Sequence, residues 1–225
     1  MSNPASAEAL RSDFALSEQR VRVLPLFEPH LPASDRVPVR PDARVGQGPL
    51  RVLFVGREAR HKNLPGLLAA RRLLAARGLE IALTVVSELR DGPIEVDPGV
   101  TLIGPLSARE VFARMQRCDV LCVPSFRESY GMVFIEALAA GAAVVAPDAP
   151  IQRSMLGAAG TYATPEDVAS IADALAGLVD DEVRAARVAA GRALYRARYA
   201  PDVVAAAFED ALREAVRDAG HRLGT

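Results

Sequence analysis

From residue 50 onward the chain repeats one pattern, an uninterrupted apolar run followed by a turn and a stretch with helical spacing, and few architectures accept that repeat. The apolar runs are Val52 to Val55, Ile81 to Val86, Val100 to Ile103, Val120 to Val123 and Ala143 to Val145. They are continuous instead of alternating, as expected of strands covered on both faces, where neither face needs polar side chains. Helices predicted between them supply the covers. Asn63 to Arg77 carries Leu64, Leu67, Leu68 and Leu74 at helical spacing, Ser107 with Glu110 forms a capping box opening a helix to Arg117, and Gly131 to Ala140 forms the next. The expected fold is α/β, a Rossmann-like doubly wound parallel sheet in three α/β/α layers. Beyond Thr161 the pattern turns all-helical: Thr164-Pro165 opens one helix, Asp181 to Arg198 forms a second and Pro201 to Arg217 a third.

The first 49 residues behave differently. They hold seven of the chain's sixteen prolines, one short helical pattern from Ser6 to Leu16 and one alternating run from Arg20 to Leu24. Closely spaced prolines remove backbone donors and extend the residues before them, which is linker behaviour. The expected division is therefore 1–49 as an appendage and linker, 50–200 as the sheet domain and 201–225 as a C-terminal helix. Charge is balanced at 27 basic against 28 acidic side chains in 225 residues, so no basic footprint argues for nucleic acid. No uncharged apolar stretch is long enough for a membrane span, and the start lacks the apolar segment of a signal peptide. These features lead to the expectation of a soluble, cytoplasmic protein, with peripheral contact at the inner membrane face as a further option. Cys118 and Cys122 are expected as core packing, and no cluster suggests a metal.

In open parallel sheets ligands bind beyond the carboxyl ends of the strands. Val55 is followed there by Gly56-Arg57 and then His61-Lys62, and Val123 by Pro124-Ser125-Phe126-Arg127-Glu128-Ser129-Tyr130-Gly131. The helix opened by Gly131 has a single polar side chain, Glu136. Buried and unpaired it would cost several kcal/mol. It must therefore meet either an internal partner such as Arg57 or Arg127, or the hydroxyls of a ligand. Glu128 lies in the loop before that helix and Glu136 about 7.5 Å further along its axis. Between them the free N–H groups near Gly131, Met132 and Val133 and the positive end of the helix dipole suit a phosphate. A diphosphate between two carboxylates needs cations, and Arg57 and Lys62 are placed to supply them. His61 is either solvated or a further phosphate contact, Tyr130 either closes over a ligand or packs, and His30 and His221 carry no signal.

The run Glu128-Ser129-Tyr130-Gly131-Met132-Val133-Phe134-Ile135-Glu136 resembles the E-x7-E segment of retaining GT-B glycosyltransferases of the group 1, family 4-like type. Phe54-Val55-Gly56-Arg57 with Lys62-Asn63, Gly104-Pro105-Leu106-Ser107, Asp119 to Ser125 and Ala143 to Ala146 resemble flanking elements in the family's order. The resemblance implies the C-terminal, donor-binding half of a GT-B fold, with hexose transfer from a nucleotide-diphosphate sugar with retention, and no cofactor or bound metal. It implies Glu128, Arg57 and Lys62 as catalytic residues. Gly56, Ser129, Tyr130, Gly131, Met132, Val133 and Glu136 would join them in donor binding, Glu136 on the ribose and Glu128 on the transferred sugar.

Residues 6 to 28 resemble the last helix and strand of the family's acceptor domain, whose remainder is not in the sequence. A separate acceptor-domain subunit or self-association is therefore expected, and a non-catalytic nucleotide-sugar-binding module is the alternative reading. Ile151-Gln152-Arg153-Ser154 stands where many relatives carry a further glutamate. Neither G-x-G-x-x-G nor a Walker motif follows the first strand, which disfavours a dinucleotide oxidoreductase and an NTPase.

Overall fold

The computed structural model describes residues 4–17, 21–37 and 48–223, with the side chains of 4–6 and 218–223 left aside. Helix α1 (Pro4–Phe14) comes first. The sheet then begins with β1 (Leu50–Val55), α2 (Leu64–Ala76), β2 (Ile81–Val86), β3 (Thr101–Ile103), α3 (Ala108–Met115), β4 (Val120–Cys122), α4 (Met132–Ala140) and β5 (Ala143–Pro147). It continues through α5 (Pro150–Leu156), β6 (Gly160–Ala163), α6 (Val168–Ala176), α7 (Asp181–Leu194) and α8 (Pro201–Leu223). All six strands are parallel, in the order β3-β2-β1-β4-β5-β6. Helix α2 packs with α6, and α4 with α3 and α7, in the layers that cover the sheet.

The five expected strands form, and every residue of β4 and β5 is buried. Two elements had no signal in the apolar pattern: α5 and the edge strand β6, whose Gly160-Thr161-Tyr162-Ala163 is too polar to read as a run and is held by register with Val144 to Pro147. Residues beyond Thr161 are thus not all-helical from the start. Thr164-Pro165 lie in the approach to α6, which is capped by the Asp167 side chain on the Ala169 N–H. The helix expected over Asp181 to Arg198 ends its α portion at Leu194 and closes in a π-helical turn, Tyr195–Tyr199. Residues 21–24 form no strand, and Arg20 lies outside the described residues. The capping box at Ser107 forms as expected, with the side chain of Glu110 accepting from the Ser107 N–H at 2.8 Å.

The segment before the sheet is pinned to the body. Tyr195 Oη donates to the Pro32 carbonyl at 2.6 Å, Ser34 N–H donates to Asp202 at 2.8 Å, and Leu31 and Val37 join the hydrophobic core. Cys118 and Cys122 are buried and in no disulfide; Cys118 Sγ donates to the Met115 carbonyl at 3.3 Å, and burial pushes the Cys122 thiol up, so both pack as small core groups.

Candidate functional site

Strand order reverses between β1 and β4, and in a doubly wound sheet the crevice outside that switch point is where ligands bind. The register Val52↔Val120 and Leu53↔Leu121 brings the loops after both strands to one edge. Between them lies a cleft of about 330 Å³, at the lower end of the range for small-molecule sites. Among the residues expected at the site, Gly56, Arg57, Lys62, Glu128, Gly131, Met132, Val133 and Glu136 line it.

Two glycines make this edge possible. A Cβ on Gly56 would fall 2.8 Å from Cγ of Lys62, so its absence lets the lysine stem cross the first loop. Gly131 caps α4 at φ +87°, and a Cβ there would fall 2.5 Å from the Phe134 ring. No side chain caps α4. In its first turn the Phe134 N–H donates to the Gly131 carbonyl at 2.9 Å, while the N–H groups of Met132 and Val133, residues that line the cleft, lack intrahelical partners by geometry.

Lys62 Nζ donates to Glu128 Oε2 at 2.5 Å, and Ser125 Oγ lies 3.4 Å from the same oxygen. The Glu128 side chain is 8% exposed and the Lys62 side chain 23%. Asn63, the next residue, is committed to structure: in the left-handed region at φ 62°, it accepts from the Gly66 N–H and donates to the Pro165 carbonyl. At the other end of the cleft Glu136 is 16% exposed, and burial, then the charge of Glu28, push its pKa up to about 7.

Several expectations about side chains change. Neither Arg57 nor Arg127 partners Glu136: Arg57 is 73% exposed and sits 3.2 Å from Glu88, and Arg127 is exposed in a shallower depression with Glu58, His61 and Ser129. Ser129 belongs to that depression, which Lys62 and Glu128 also line, and not to the main cleft. Of the two options for Tyr130, packing holds: the side chain is buried and its hydroxyl accepts from the Leu26 N–H at 3.1 Å. It is therefore a brace for the preceding segment and no part of the cleft wall. Gln152 is buried in α5 and Arg153 is paired with Asp148; neither lines the cleft.

Residues without an individual site signal also line the cleft: Ser87, Glu88, Pro105, Leu106 and Val111. His30 comes within 3.8 Å of Glu136, against the expectation that it carries no signal; its counterpart His221 has no described side chain. Among the described residues no group of three or more His, Cys, Asp or Glu side chains could hold a metal, and no helix is long and apolar enough to cross a membrane.

Residues 49–181 match a family model described as "Glycosyl transferases group 1". The D-inositol 3-phosphate glycosyltransferase of Pseudarthrobacter chlorophenolicus is 35% identical over 172 residues, covering 70% of this chain and 40% of that protein. The phosphatidyl-myo-inositol mannosyltransferase of Mycolicibacterium smegmatis is 37% identical over 148 residues, covering 61% of this chain and 38% of that protein. The chain thus spans about 40% of the length of these curated relatives. In fold it is similar to sucrose-phosphate synthase from Thermosynechococcus elongatus, with a TM-score of 0.73 at 21% identity over 96% of this chain and 58% of that one.

Proposed function

Because the chain belongs to the group 1 glycosyltransferases, we propose that it is a donor-binding half that takes a nucleotide-diphosphate sugar and takes part in retaining hexosyl transfer without a bound metal. The observation that carries this reading is the convergence in one cleft of Lys62, Arg57, the open α4 N-terminus and the two carboxylates Glu128 and Glu136. The diphosphate would lie across the first turn of α4, its charge met by the helix N–H groups, Lys62 and Arg57. Glu136 would accept from the ribose hydroxyls, and Glu128, steadied by Lys62, from hydroxyls of the hexose. In a retaining front-face transfer the anomeric carbon–oxygen bond to the diphosphate breaks as the acceptor hydroxyl bonds the same face, and its proton passes to the departing phosphate oxygen. The chain's cations stabilise the charge that develops on that oxygen.

The acceptor side would come from a separate acceptor domain. On α8, Phe208, Leu212 and Val216 repeat every fourth residue and are 51%, 52% and 70% exposed, an apolar stripe on a chain that spans about 40% of its relatives. Light scattering of the chain alone is expected to give a monomer. A dimer dispersed by Leu212→Glu would assign the stripe to a second copy instead. The relative named phosphatidyl-myo-inositol mannosyltransferase favours an acceptor at a lipid surface, where the chain would sit peripherally.

Calorimetric titration with UDP, GDP, ADP and their hexose conjugates, in chelator, tests the reading. One nucleotide class is expected to bind. Arg57→Ala is expected to weaken the diphosphates about 3- to 10-fold and the bare nucleoside not at all, since one exposed cationic contact is lost. Equal losses for both ligands would remove Arg57 from the diphosphate. Binding without transfer after an acceptor domain is supplied would favour a non-catalytic module.

A further inference from the structure

The Glu136 end of the cleft is met by a side chain from the segment that precedes the sheet. The ring of His30 meets Phe112 of α3 edge-on, with centroids 6.4 Å apart and planes at 82°. Its Nδ1 lies 3.8 Å from Oε2 of Glu28 and its Nε2 3.8 Å from Oε1 of Glu136, and the side chain is only 17% exposed. The buried Nε2 has no hydrogen-bond partner. Its backbone is held from both sides: the Leu26 N–H donates to Tyr130 Oη, the Pro32 carbonyl accepts from Tyr195 Oη, and Leu31 is in the core. A neutral imidazole presents one donor and one bare lone pair, so with its proton on Nε2 the ring is a donor beside Glu136.

We propose that His30 is a positioning residue for nucleotide binding: its ring, set between Glu28 and Glu136, eases the ionisation of Glu136 at the cleft wall so that the carboxylate accepts from two ribose hydroxyls. The proposal rests on the reading of Glu136 as the ribose acceptor. The charged groups nearest the ring are Glu28 from its own segment and Glu136 from α4, while α3 contributes the uncharged Phe112 ring. Arg57, Lys62, Glu88 and Glu128 line the remaining cleft. Burial and Glu28 both favour the protonated carboxyl of Glu136. A protonated carboxyl offers one hydroxyl donor where the ribose needs acceptors, and a proton donor at Nε2 opposes both effects.

The test titrates the nucleoside diphosphate that the parent binds, and inorganic pyrophosphate, into parent and His30→Gln chains across neutral pH. His30→Gln is expected to lose about tenfold in nucleoside diphosphate affinity near pH ~6.5, to recover to within about twofold near pH ~9, and to bind pyrophosphate as the parent does. Adding Glu28→Gln, which removes the repulsion that His30 offsets, is expected to restore most of the loss. Unchanged affinity at every pH, or the same loss at every pH, would overturn the proposal, the second because lost packing does not titrate. If the parent binds no nucleotide, the reading of the cleft as a donor site fails separately. The clamp is then judged by carboxyl ¹³C NMR of the free chain: a Glu136 titration moved to higher pH by His30→Gln upholds it, and an unmoved one overturns it.

Discussion

Glutamine in place of Glu136 is expected to weaken nucleoside diphosphate binding by about 10- to 100-fold and, at the same time, to make the folded chain more stable above neutral pH. The two effects share one cause. The carboxylate is 16% exposed on a helix whose other side chains are apolar, so ionising it in the fold costs desolvation, which the hydroxyls of the proposed ligand would offset. In the folded chain Glu136 keeps its proton up to about 7, against an ordinary 4.5. Between those values the folded state binds more protons than the unfolded one, so stability is fully present below about 4.5 and is lost as pH rises through about 7. The loss reaches about 3 kcal/mol at most, by the free energy of a pKa difference of this size. Glutamine carries no such slope. Urea denaturation of parent and Glu136→Gln on both sides of this window is expected to give a gap that widens with pH in favour of the variant. A gap that does not change with pH would mean that Glu136 is solvated in the fold, and unchanged nucleotide affinity would reject its ribose role.

Lys62→Met is expected to abolish useful diphosphate binding, with a loss of about 100-fold, and to destabilise the chain by about 2 kcal/mol. Removing the ammonium strands Glu128, whose side chain is 8% exposed and which then keeps, among the described residues, Ser125 Oγ at 3.4 Å. The cost falls between those of exposed and buried pairs, because the lysine itself is 23% exposed. The double variant Lys62→Met/Glu128→Gln separates the roles. Removing the stranded charge is expected to recover most of the stability but none of the affinity, read by thermal unfolding and by calorimetry with pyrophosphate. Recovery of both would make Lys62 a structural partner of Glu128 and nothing more.

The pairing of Lys62 with Glu128 also bears on how the cleft accepts an anion. A diphosphate would arrive at a lysine already neutralised by one carboxylate, and Arg57 is turned toward Glu88. The N–H groups of Met132 and Val133, at a helix start with no capping side chain, are donors of the site uncommitted within the helix. Ligand binding here is therefore expected to depend on Gly131, whose left-handed backbone starts the helix without a blocking Cβ.

Where a property depended on neighbours in the chain, the residues alone determined it. Strands β1, β4 and β5 are covered on both faces and so appear as unbroken apolar runs, whereas β2 exposes Ala82 and the edge strand β3 exposes Thr101 and Leu102 against the expectation of two covered faces; the capping box needs only Ser107 and Glu110, and Glu136 stands out because the rest of its helix is apolar. The meeting of the loops after β1 and β4 followed from parallel topology, which those runs imply. Tertiary structure alone decided what long-range packing controls. Strand β6 exists through its register with β5, since its own residues carry little apolar signal. Tyr130 turns inward because Leu26 offers its hydroxyl a donor, Arg57 turns outward to Glu88, and His30 reaches Glu136 because Tyr195 and Tyr130 pin the segment that carries it. No periodicity encodes such contacts: a helix or strand is selected by spacing along the chain, whereas the partner of a polar side chain is selected by which distant surfaces the folded core leaves beside it.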